Sequence, residues 1–231
     1  MSTPQEPILQ DEPFTPTITA SDIVYRGAVW DIRKETFDLP EASGLVRDLM
    51  DHTGAVGIAV VDDQQRMLLV QQYRHPVGAR LWEVPAGLLD VPGEPLLEAA
   101  RRELREEADL TAGDWQVLSD SCLSPGGSSE TMRLYLARDL TVVPEAQRHE
   151  RSEEEAGFRF RWVSLGEALT AVSEGRVTNV IAQMAILQTA RVLDAEASGT
   201  PVRLRETDAP RRLVDGRPDF GRSVTVESTE D

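Results

Sequence analysis

Between Gly87 and Leu110 the chain reads GLLDVPGEPLLEAARRELREEADL, and no other stretch constrains the fold so closely. A loop with glycines at 87 and 93 feeds a segment in which Leu97, Ala100, Leu104 and Ala108 recur at helical spacing, one apolar stripe for packing. Pro95 suits the first turn, where the amide hydrogen it lacks would be unpaired. At about 100° per residue, Glu103 and Glu107 stand on successive turns of nearly one face, with Glu106 beside them. Like charges at this separation repel, so Glu94, Glu103, Glu106 and Glu107 around one loop and helix need opposite charge. Hard carboxylate oxygens suit Mg²⁺ or Mn²⁺, which keep some of their waters and bind substrate phosphates directly. Arg102 is placed to pair with a carboxylate or hold the loop. A tight glycine bend would let the carbonyl of Ala86 point inward as a further ligand. Metal-assisted hydrolysis of a phosphate-containing substrate is the leading reading.

Around this segment the pattern is a mixture of strands and few helices. Ala55 to Val61 and Arg66 to Arg74 read as strands split by an Asp62-Asp63 turn, and Leu81 to Pro85 as a short extended piece. Further strands are expected at Trp115 to Cys122, Thr131 to Leu136 and Phe158 to Val163, with Cys122 in the core. Helices are expected at Leu165 to Val172 and Asn179 to Leu193. Alternation from Asp22 to Leu39 suggests a strand or hairpin carrying Tyr25, Trp30 and Phe37. The expected organisation is a flexible lead over 1–18, a β annex over 19–54, a main domain over 55–197 and a largely disordered tail over 198–231, where charged residues, Gly and Pro follow no period.

Composition narrows the partners. A net charge of -16 argues against general affinity for nucleic acid or an anionic membrane, yet bound divalent cations would reverse the sign locally. One cysteine cannot form an internal disulfide, so a reducing cytoplasm is expected. No apolar run approaches a membrane helix, and the first residues lack the basic start of a secretory signal. His52, His75 and His149 show no ligand spacing, and Ser124, Ser128 and Ser129 have no His–Asp arrangement to make a nucleophile.

The segment resembles the signature of the Nudix hydrolases, in which a glycine loop precedes a glutamate and then REXXEE, a small residue, a glycine and an apolar residue. Arg102, Glu103, Glu106, Glu107 and Leu110 match it. Gly87 and Glu94 stand one residue further apart than in the family, and Asp109 replaces the glycine that ends the family's helix. Aspartate reaches the left-handed conformation at a modest penalty, so a strained helix end is expected there. The resemblance implies an α/β fold, a mixed-sheet α/β/α sandwich, with the N-terminal antiparallel sheet as its annex. It also implies metal held by Glu103, Glu106 and Glu107, with Ala86 alongside.

QQYR (Gln71 to Arg74), WEVPAG (Trp82 to Gly87) and SPGGSSE (Ser124 to Glu130) resemble the ADP-ribose pyrophosphatase branch. Pro125 lies at the distance from Leu110 that this branch associates with ADP-ribose. By this resemblance the substrate is a nucleoside diphosphate-linked sugar, cut to AMP and ribose 5-phosphate. Arg74 and Arg80 would offer guanidinium forks to a diphosphate, Trp30 or Tyr25 would stack on adenine, and Glu83 and Glu130 would accept from ribose hydroxyls. Glu107 and Arg102 belong with the catalytic set. In HERSEEEAG (His149 to Gly157) the family's late loop would supply the proton acceptor, Glu154 or Glu155. Members of the branch form homodimers by exchanging N-terminal sheets, a role that would fall to 19–54. Other ADP-sugars, a dinucleotide such as NADH, or nucleotide binding without turnover remain the alternatives.

Overall fold

The computed structural model describes residues 9–151, 157–211 and 213. Two compact units divide them: residues 54–123 with 131–209 form the larger, and the residues before 54 join 124–130 and the last described residues in the smaller.

The larger unit is built on two strands that are apolar on both faces. β4 (Ala55–Val60) runs parallel to β9 (Thr131–Val142), Ala55 opposite Met132 and Val60 opposite Ala137. Parallel pairs are stable when both faces are covered, which requires near-continuous apolar runs. Ala55, Ala59, Met132, Leu134 and Leu136 face one cluster, completed by α2 (Leu165–Ser173) and α3 (Val180–Ala197). Val56, Ile58, Val60, Tyr135 and Ala137 face the other, completed by Ala99, Ala100 and Leu104 of α1 (Leu96–Ala108). Helices on both faces of one mixed sheet give the expected α/β/α arrangement.

The sheet order is β7-β4-β9-β8, with β7 (Ala86–Leu88) and β8 (Leu110–Cys122) at the edges. A second, antiparallel sheet has β5 (Arg66–Arg74) between β10 (Arg159–Ser164) and β6 (Ala79–Glu83). Ser164 and Asn179 cap α2 and α3, each side chain accepting a first-turn amide.

Two expectations need correction. Cys122 is exposed, since it ends β8 where the core stops. The tail beyond 198 is partly placed: Arg205 pairs with Val117 and its guanidinium reaches Asp120 at 2.8 Å, while the Tyr135 hydroxyl donates to the Thr207 carbonyl. Single anchors of this kind leave no periodic trace in a sequence.

The smaller unit is an antiparallel sheet of β1 (Thr17–Arg26), β2 (Asp31–Leu39) and β3 (Ala42–Asp51), with β2 central. Asp51 is buried, and Arg33 meets it at 2.6 Å. Val24 and Tyr25 on the edge strand β1 are exposed.

Candidate active site

α1 begins after Pro95, whose carbonyl accepts from Ala99, and ends on Asp109. Asp109 takes φ 54° and ψ 35°, the left-handed cap expected there, and its amide returns to the Leu104 carbonyl. Arg151 binds its carboxylate at 2.6 Å, and its carbonyl accepts from Val143, so the non-glycine cap is held from both sides.

The signature residues converge on Arg102. Its guanidinium makes a two-pronged pair with Glu94, 3.1 and 3.0 Å, binds Glu103, and reaches Glu106 at 3.4 Å. Asp90 stands 3.9 Å away. Glu94 therefore anchors the loop to the helix through Arg102, and the extra loop residue does not prevent the pair. Arg102 is held in its charged form by the hydrogen bonds it donates to Glu94, against the cost of burial. Burial raises the Glu103 carboxyl above the ordinary glutamate range, and the charge of Arg102 offsets only part of that.

Gly87 gives Glu103 its space. A Cβ there would lie 1.9 Å from the Glu103 Cδ and 2.1 Å from its Oε1. Glycine here leaves the Glu103 carboxylate room against the backbone, and any side chain would push it aside. Glu107 is 6% exposed, and its Oε2 accepts from the Ala86 amide at 3.0 Å. Ala86 is thus tied to the site through its N–H.

Three carboxylates share one guanidinium here, and Glu107 adds a fourth close by on the same helix. The donors are all hard oxygens and the charge is net negative, so the residues fit a hard divalent cation. Among the described residues no three acidic, His or Cys side chains already converge as a ligand set. Arg102 draws Glu103 and Glu106 to itself, while Ala86 holds Glu107. A cation would compete with these partners for the carboxylates.

The other candidates fall into three groups. Glu83 on β6 stands opposite Val70, and Arg74 reaches it diagonally from β5 in a two-pronged pair, 3.0 and 2.7 Å, with Gln72 adding a hydrogen bond at 3.1 Å. Glu83 is 4% exposed and orients Arg74. Arg80, on β6, is exposed and has no ion pair among the described residues. Trp30, Pro125 and Glu130 belong to the smaller unit, where His52 connects Trp30 with Glu130. Glu153, Glu154 and Glu155 lie outside the described residues. Sequence reasoning missed Gln72 and His52. Gln72 stands two residues from Arg74 on the same strand face and was open to strand periodicity. His52 touches residues remote in sequence and left no local signal.

A family model for the NUDIX domain matches residues 51–182. An ADP-ribose pyrophosphatase of Mycobacterium tuberculosis is 40% identical over 191 residues, 83% of this chain and 91% of that protein. An ADP-ribose pyrophosphatase of Bacillus subtilis is 32% identical over 179 residues, 77% of this chain and 95% of its own. The crystal structure of an ADP compounds hydrolase covers 83% of this chain and 100% of its own at TM-score 0.66; with 20% identity it speaks for the fold alone. With Glu94, Glu103 and Glu106 gathered on Arg102, Glu107 beside them, and the family's match running through both central strands, this chain belongs to the NUDIX family.

Proposed function

We propose that the protein is a metal-dependent ADP-ribose diphosphatase, splitting the substrate into AMP and ribose 5-phosphate. The observation that carries this reading is the signature cluster, Glu94, Glu103 and Glu106 on the Arg102 guanidinium with Glu107 beside them on the Ala86 amide. Two relatives named ADP-ribose pyrophosphatase, each aligned over more than three-quarters of this chain, support the choice of substrate.

Glu103, Glu106 and Glu107 would hold the metal, Mg²⁺ with Mn²⁺ able to replace it. When bound, divalent cations neutralise charge growing on the phosphoryl oxygens and acidify the attacking water. Arg102 keeps Glu103 and Glu106 on one side of the helix and fixes the loop through Glu94. The Ala86 amide sets the rotamer of Glu107. Arg74, its plane fixed by Glu83, is suited to a diphosphate oxygen, and Arg80, opposite Tyr73 on β6, would offer a second cation. Trp30 would stack on the adenine and Glu130 would accept from ribose, with Pro125 shaping the loop that carries Glu130. Glu154 or Glu155 would take the proton of the water.

The chain would act as a homodimer through the 19–54 sheet, whose edge strand β1 exposes Val24 and Tyr25. No helix among the described residues is long and apolar enough to cross a membrane, and a cytoplasmic location is proposed from the single cysteine. The test is AMP release from ADP-ribose, ADP-glucose and NADH with and without Mg²⁺. Metal-dependent release that is fastest from ADP-ribose supports the proposal; a preference for NADH or ADP-glucose overturns the substrate.

A further inference from the structure

The SPGGSSE loop is sewn to the end of β3. Met50 donates to the Gly127 carbonyl at 2.9 Å, Ser129 returns a bond to the Met50 carbonyl at 3.0 Å, and the His52 amide donates to the Ser129 hydroxyl at 2.8 Å. This stitching places the His52 ring between two side chains that lie far apart in the sequence. Its ring stacks on Trp30, centroids 6.1 Å apart and planes 27° apart, and its Nε2 lies 3.9 Å from a Glu130 oxygen. His52 is itself 7% exposed, whereas the Trp30 indole is 38% exposed and the Glu130 side chain 27%. The buried member is therefore the imidazole, and the two groups it touches keep surface for something else.

An aliphatic side chain would support the indole by packing alone but would leave Glu130 with no polar contact from this position. A lysine would meet Glu130 without presenting a flat face to the indole. Imidazole has both a stacking face and a ring nitrogen.

We infer that His52 is a positioning residue for the nucleoside half of the substrate, holding the Trp30 face for a purine and the Glu130 carboxylate for a ribose diol in one fixed arrangement. This rests on the proposed function, in which Trp30 and Glu130 meet the substrate. His52 acts through these two side chains and takes no part in bond cleavage. Its removal therefore weakens binding and spares turnover.

The experiment is steady-state AMP release from ADP-ribose by the full chain, its single variants His52→Gln, His52→Phe and Trp30→Ala, and the double variant Trp30→Ala/His52→Gln. His52→Gln loses the stack and His52→Phe loses the ring nitrogens. His52→Gln is expected to raise KM about tenfold, the scale of losing one base–aromatic stack, and His52→Phe to raise KM by freeing Glu130, each with kcat within about twofold. The double variant is expected to match Trp30→Ala alone, since the two act as one unit. In 5-fluorotryptophan-labelled protein, which carries four tryptophans, His52→Gln should move the resonance assigned to Trp30 and leave the other three in place. An unchanged KM, fully additive effects, or movement of all four resonances would overturn the inference. Absence of AMP release by the unaltered protein refutes the proposed function and this inference together; normal release with an unchanged KM in the variants refutes the inference alone.

Discussion

Gly87→Ala isolates the geometry of the carboxylate cluster from its chemistry, because it removes no charge and no hydrogen-bonding group. The added methyl would sit 1.9 Å from the Glu103 Cδ, and contacts under 3.0 Å are essentially never tolerated. Glu103 must therefore swing its carboxylate away by about 1 Å or more, which a flexible side chain does more readily than the backbone. The φ of Gly87 is not in the left-handed region, so alanine adds no backbone strain. The folding cost is then confined to the weakened bond between Glu103 and Arg102, about 1–3 kcal/mol for a charge-assisted hydrogen bond. That corresponds to a fall in Tm of roughly 2–10 °C for a chain of this size. Turnover should suffer more. Misplacing a catalytic group by about 1 Å costs on the order of 100-fold, equivalent to about 2.7 kcal/mol on the barrier. The assay is AMP release at saturating Mg²⁺ and ADP-ribose, with thermal melting in parallel. A Gly87→Ala protein that melts normally and turns over within about threefold of the parent would refute the reasoning.

Further outcomes follow from other contacts. Glu107→Gln should keep the fold, because its amide oxygen can still accept from Ala86, while kcat drops at least about 100-fold through loss of the charge; near-normal turnover would remove Glu107 from the metal set. In the metal-free protein, burial raises the Glu103 carboxyl above the ordinary glutamate range. The same shift gives a stability contribution in metal-free protein that is full below the unfolded-chain value and lost as pH rises through the folded one, readable in EDTA by melting across pH. At Asp120, burial pushes the carboxyl up, but hydrogen bonds from Arg133 and Arg205 outweigh it and hold it below the ordinary range. Its contribution is present above the unfolded-chain value and lost as pH falls through the lower folded value. Asp120→Ala strands the buried Arg133 and should cost about 3 kcal/mol, measured by urea unfolding at neutral pH.

Legibility in the sequence tracked how locally each feature is encoded. The strand Arg66–Arg74 was readable to the residue because its ends are marked by an acidic turn and a proline. α1 was readable from its stripe, and Asp109 as a strained cap because a missing glycine is a local event. The Arg74–Glu83 pair was not: both residues were visible as candidate ligands, but their mutual contact depends on the register of β5 against β6. The tail failed for a similar reason, since Arg205 and Thr207 are held by Asp120 and Tyr135 on distant strands. His52 was dismissed because no histidine spacing suggested a ligand, and its partners come together only when the 124–130 loop is paired with β3. At α1, residue identities were legible while the convergence on Arg102 was only partly so. Sequence period places carboxylates on a face but does not say which of them one guanidinium will gather.

In the proposed mechanism Glu103, Glu106 and Glu107 would exchange their present partners for divalent metal when a diphosphate substrate binds. A crystal structure with Mg²⁺ and a non-hydrolysable ADP-ribose analogue tests this directly. The expected result is metal on these three carboxylates and on the analogue's diphosphate, with Glu94 still paired to Arg102. Metal bound elsewhere, with Glu103 still on Arg102 and Glu107 still on the Ala86 amide, would contradict it.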